Sequence, residues 1–210
     1  MALGKDQIKK AYSEKNLSLF KKIKNVLTSP TKFYNSVKSE KGFKSPMIYL
    51  LVMSLLSTVL STVYTLVFPS SFLGVTVPTS LEASIIGILD AFVIGIIATF
   101  LIVGLFHVFV YLLGGKNGFL QTFKSNVYGS TPSYIFGWIP YVNIVAAVYT
   151  LFYLIPKGIS MQHNMSMGRA VLAVVLPIII ILVLVFVLFA AFFVVLLSAL
   201  SSGQFSAPPV

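Results

Sequence analysis

Residues 170–200 read AVLAVVLPIIIILVLVFVLFAAFFVVLLSAL, with no charged side chain and one proline, Pro177. About 20 consecutive apolar residues cross a bilayer, because a helix pairs every backbone donor and acceptor without help from water. This run is longer than that. A helix apolar on all sides finds its solvent in lipid or in the core of a large protein. The segment therefore predicts a transmembrane helix.

The rest of the chain agrees. Of its 210 residues, 57% are hydrophobic and only 10% charged. A soluble domain carries roughly 25% charged residues, so this chain cannot coat a globule with polar surface. Further apolar runs cover about 46–68, 82–113, 119–139 and 140–161. The reading is an all-α integral membrane protein, a bundle of about five transmembrane helices with short amphipathic N-terminal helices. Residues 46–200 form the membrane domain, 1–45 a basic cytoplasmic or interfacial segment, and 201–210 a small, polar tail read as disordered. Pro46 suits a first helical turn, with Ser45 as its cap. Pro132 breaks the third run, and Pro156 with Gly158 is expected to kink or end the fourth.

Charge sets the expected orientation. Of 15 basic residues, 11 precede Pro46, and the others are Lys116, Lys124, Lys157 and Arg169. The 69–80 loop, the 137–141 turn and the tail carry none. With five spans, the basic and non-basic connections fall on opposite sides. The positive-inside rule then places the N-terminus in the cytoplasm and the C-terminus outside, as expected for a prokaryotic cell membrane. The first 30 residues contain no apolar run of signal-peptide kind.

The net charge of +10 does not imply nucleic acid. A basic segment beside a hydrophobic span meets anionic lipid headgroups or sets topology. Leu19, Phe20, Ile23, Val26 and Leu27 recur at helical spacing, and Ser29-Pro30 starts a second short helix bearing Phe33, Tyr34 and Val37. Lys21, Lys22, Lys24 and Lys32 are the expected lipid contacts, with both helices lying on the membrane surface.

Within the spans, ionisable groups are costly and mark sites. Asp90 falls near the outer interface. His107 lies deeper and is expected to bond a neighbour among Ser125, Asn126, Thr131 and Asn143. His107, Asn126, Thr131 and Asn143 form a candidate polar cluster, either a lock or the lining of a path. Ala83, Gly87, Ala91, Gly95 and Thr99 repeat every four residues, with a counterpart in Ser57, Ser61 and Thr65. Such a stripe admits a second backbone, within the chain or in a homo-oligomer. The chain has no Cys, no Gly-x-Ser-x-Gly elbow, no His-Glu-x-x-His and no phosphate-binding Gly-x-x-x-x-Gly-Lys loop. The reading is therefore of a protein without catalytic, metal or cofactor sites.

One order of motifs is more specific. It runs His107, Leu113-Gly114-Gly115-Lys116-Asn117-Gly118-Phe119, Thr122-Phe123, Tyr128, Pro132 and Trp138-Ile139-Pro140. It ends with Gly158-Ile159-Ser160-Met161-Gln162-His163-Asn164-Met165-Ser166 and Ala170. Upstream stands Leu27-Thr28-Ser29-Pro30-Thr31-Lys32-Phe33-Tyr34. This resembles the Yip family, the Ypt/Rab-GTPase-interacting membrane proteins, in its shorter prokaryotic form. The resemblance implies a five-helix membrane domain, a cytoplasmic N-terminus and an adaptor's role. By resemblance alone, the unidentified protein partner would be a GTPase. The Asp-Leu-Tyr-Gly-Pro motif and the long acidic region of eukaryotic members are absent. The alternative reading is a small-molecule or ion transporter or channel, in which broken helices line a path.

Overall fold

A computed structural model describes residues 17–68, 71–72, 75–76 and 81–201. The expectations for residues 1–16, for most of the 69–80 loop and for the tail from 202 lie outside these.

Two short helices come first, α1 (Leu19–Thr28) and α2 (Pro30–Val37). The Ser18 hydroxyl caps α1 by accepting from Lys21 N–H, and Pro30 occupies the first turn of α2. The long α3 (Lys44–Val67) follows. It begins one residue before the expected cap, so Ser45 lies inside it and its hydroxyl serves the site below. Two-residue strands, Ser71–Phe72 and Val75–Thr76, pair antiparallel before α4 (Leu81–Leu112).

The expected third span is divided. It consists of α5 (Phe119–Gly129) and α6 (Thr131–Phe136), parted at Ser130, with Pro132 in the first turn of α6. Proline has no N–H to give and its ring excludes a preceding helical turn, so the break falls just ahead of it. Then come α7 (Val142–His163) and α8 (Met167–Ser201). In α7, Pro156 does not end the helix, which continues to His163. A π-helical turn at Thr150–Leu154 widens the coil immediately before the proline and accommodates it. Asn164, at φ 53°, closes α7 in the left-handed conformation that suits Asn.

Four helices, α3, α4, α7 and α8, are long and apolar enough to cross a membrane. The five-span expectation therefore meets four long helices and one broken segment. That segment runs antiparallel to α7 along its whole length. Asn117 bonds the Gln162 carbonyl at one end, Gly129 abuts Ile155 in the middle, and Ser133 bonds Thr150 beyond it. At 1.5 Å per residue, α5 and α6 together reach about 27 Å.

Packing is concentrated at one end of the bundle. Buried Tyr49, Leu50 and Met53 of α3, Val103 of α4 and Phe123, Val127 and Tyr128 of α5 form one core with Val26, Phe33, Tyr34 and Val37 of α1 and α2. A second core joins Phe106 and Val110 of α4, Ile155 and Ile159 of α7, and Ala170, Ala173 and Val174 of α8. Beyond these, large apolar side chains face outward from α3, α4 and α8. Lipid satisfies such faces without a protein partner. At Gly87 and Gly95 the small-residue stripe of α4 makes no close approach among the described residues, since a Cβ at either would meet open space.

Candidate functional site

The amphipathic helices turn their apolar face onto the bundle and not onto lipid. Of the apolar residues at helical spacing in α1, Val26 is fully buried in protein, and Ile23 and Leu27 pack against the same core. Phe20, 74% exposed, and Leu19 are left outside. Tyr34 inserts deepest. Its hydroxyl donates to the Leu154 carbonyl at 3.0 Å, at the end of the π turn. Gly158 makes room, because a Cβ there would stand 2.7 Å from the Tyr34 ring. Burial pushes the Tyr34 hydroxyl well above its ordinary pKa. Gln162 donates from Nε2 to the Tyr34 carbonyl at 3.0 Å.

Two lysines seal this docking. Lys22, 6% exposed, donates from Nζ to Glu40 Oε1 at 2.7 Å, Ser45 Oγ at 2.5 Å and Tyr128 OH at 3.0 Å. All three donors are matched, and Tyr128 OH donates in turn to Glu40 Oε2 at 2.8 Å. The expectation that Lys22 meets lipid is thus corrected. A carboxylate and two hydroxyls replace its hydration, which lets an ammonium group turn inward. Lys21, Lys24 and Lys32 do face outward. Lys124 of α5, fully buried, donates to the carbonyls of Val37 at 3.0 Å and Glu40 at 3.1 Å. The last carbonyls of a helix lack internal partners and carry partial negative charge, so a cation is well placed at the end of α2. At the periphery Lys38 Nζ bonds Asn164 Oδ1 at 2.6 Å.

A second network lies beside the first on α5. His107 Nδ1 is 2.8 Å from Thr122 Oγ1, which is 2.9 Å from His163 Nε2. Thr122 has one hydroxyl proton, so it donates to one ring and accepts from the other. His107 is therefore bonded to the third run, as expected, but through Thr122 and none of the four residues anticipated. Gly115 packs against the far side, where a Cβ would lie 3.2 Å from His163 Nδ1.

The anticipated cluster is not one site. Thr131 bonds Tyr49 OH at 2.7 Å, Asn126 lines a separate cavity, and Asn143 is exposed near the other end of α7. Asp90 is exposed on α4, as its expected place near the interface allows. Among the described residues, no three of His, Cys, Asp or Glu gather to hold a metal ion. Sequence reading missed Lys124, Tyr128 and His163 as site residues and gave Lys22 a lipid contact in place of its buried one. The usable signal was the density of polar and glycine residues at 114–128 and 158–164 in an otherwise apolar chain.

These features define a polytopic all-α membrane protein whose basic N-terminal helices are latched onto its bundle by buried polar groups. The chain belongs to the Yip1 domain family, whose pattern it matches over residues 24–189. That range takes in the docked helices, both networks and most of α8. No curated protein and no solved structure matches the chain.

Proposed function

We propose that this protein is a non-enzymatic adaptor of the cell membrane that presents α1 and α2 to partners at the cytoplasmic face. One observation carries the reading: the exposed Phe20 stands beside outward-facing Lys21 and Lys24 on a helix whose opposite side is fixed to the bundle. An aromatic anchor with cations around it, held on a rigid support, suits recognition better than catalysis. The positive-inside rule puts this helix in the cytoplasm, with α5–α6 as a fifth crossing and the C-terminus outside. Anionic lipid is the second partner. A cavity of about 440 Å³ beside the start of α3 has Lys41 and Lys44 at its rim and Leu17, Leu19 and Ile48 on its walls. That combination suits a headgroup with part of its chain. The resemblance alone makes a GTPase the protein partner.

The test is a photoreactive amino acid at position 20 of the full chain, activated in cells. A discrete protein adduct, lost when Lys21 and Lys24 are changed to Glu, is the expected result. Adducts with lipid alone would reduce the role to surface anchoring, and no adduct of either kind would contradict it. The transporter reading draws support from one feature, the break at Ser130 facing the π turn of α7. Solute flux through reconstituted vesicles would favour it.

A further inference from the structure

We propose that the break between α5 and α6 holds a binding site for an uncharged glycerolipid with a free hydroxyl, of the diacylglycerol class. The inference does not depend on the adaptor reading. A cavity of about 290 Å³ lies between α4, the α5–α6 break and the π turn of α7. Thr99, Asn126, Ser133 and Thr150 bring polar groups to it, and Ile102 and Leu151 bring apolar walls. Each of these hydroxyls already makes a hydrogen bond within the protein. Thr99 bonds the Gly95 carbonyl at 2.8 Å, Ser130 bonds the Asn126 carbonyl at 2.9 Å, and Ser133 bonds Thr150 at 3.1 Å.

The Asn126 side chain is different. The residue is 7% exposed, lines the cavity, and its carboxamide has no hydrogen-bond partner among the described residues. The carboxamide opens onto the cavity, and beside lipid in place of water an amide without a partner is costly, so the group invites a ligand. The lining carries no ionisable group other than the Tyr134 phenol, so nothing would neutralise a charged ligand. Thr99 and Thr150 stand about 20 Å along their helices from Leu112 and His163. The cavity thus reaches from Asn126, about 10 Å along α5 from Phe119, toward the middle of an apolar layer about 30 Å thick, where an uncharged headgroup is favoured over a phosphate.

An uncharged glycerolipid reaches it laterally. Its hydroxyl donates to Asn126 Oδ1, and its neighbouring ester carbonyl accepts from Nδ2, so both halves of the amide are used. The cavity is large enough for the glycerol ester region. The acyl chains extend outward between α4 and α7, where Leu101, Val148 and Phe152 already face lipid.

The experiment uses the full chain in phosphatidylcholine nanodiscs with a trace of photoreactive diacylglycerol. Cross-links should map to α4 and α7. Excess dioleoylglycerol should suppress them about five-fold or more, the scale of one hydrogen bond, while trioleoylglycerol, which lacks the hydroxyl, should not. Asn126→Leu should lower labelling to the same degree. Ala147→Phe adds bulk to the cavity wall while leaving the Asn126 amide in the sequence and should do likewise, with thermal melting confirming that each variant folds. If either folded variant labels like the native protein, or both competitors act equally, the site is ordinary lipid solvation and the proposal fails.

Discussion

Lys22 shows how one side chain changes the meaning of a segment. On a helical wheel it is one more cation of a basic surface helix. In the fold it is the centre of a buried pair with Glu40, supported by Ser45 and Tyr128. Breaking such a pair leaves an uncompensated charge, so Glu40→Leu should destabilise by on the order of 3 kcal/mol. Adding Lys22→Met should recover much of that loss, because both charges then leave together. Chemical denaturation in detergent, run as a double-mutant cycle, reads the result. Equal and additive losses would show that the pair is not coupled. His107 sits in a neutral network, and its replacement is milder. His107→Leu should cost about 1–3 kcal/mol, since Thr122 loses one of two ring partners. A melting curve unchanged from native would remove His107 from the lock. That His107 would be bonded was legible in sequence, but its partner Thr122 and the buried setting of Lys22 were not. Lys22 and Tyr128 are separated by 106 positions, and Thr122 and His163 by 41, so only the fold makes them neighbours.

Among elements, α2 is held at its C-terminus by Lys124 and along its length by Tyr34 and Gln162. Lys124→Met removes the cation from the Val37 carbonyl at the end of α2 and from the Glu40 carbonyl just beyond it, and should loosen this helix before the rest. Hydrogen exchange at Pro30–Val37 should accelerate by about ten-fold or more while α8 stays protected. Uniform acceleration would mean that α2 has no separate docking equilibrium. On α1 and α2, changing Lys21, Lys24 and Lys32 to Glu should abolish the salt-sensitive preference of the reconstituted protein for anionic lipid. Each cation near such a surface contributes about 1 kcal/mol, and the attraction fades as salt shortens its range. A preference untouched by the substitutions would assign it to Lys41 and Lys44 instead. The long helices were readable because length and apolarity suffice to specify them. The existence of α1 and α2 was readable from spacing. Their docking was not, because an amphipathic face fits a protein core as well as a membrane. The broken third run was signalled by Pro132, while the π turn answers to packing around Pro156 and leaves no mark of its own.

For the molecule as a whole, the packing gradient matches the proposed role. The cores of α3, α4 and α8 lie at one end, where α1 and α2 dock, and their other halves face lipid. Rigidity is thus supplied beneath the surface offered to partners. The account stands on that end being cytoplasmic. The chain has no cysteine, so single cysteines report their own side. With Phe20→Cys, Asn117→Cys, Asn164→Cys and Ser71→Cys made separately, an impermeant thiol reagent applied outside intact cells should label Ser71→Cys alone. The other three should react only after the membrane is opened. Labelling of Phe20→Cys or Asn117→Cys from outside would place the docked helices on the wrong face and contradict the account.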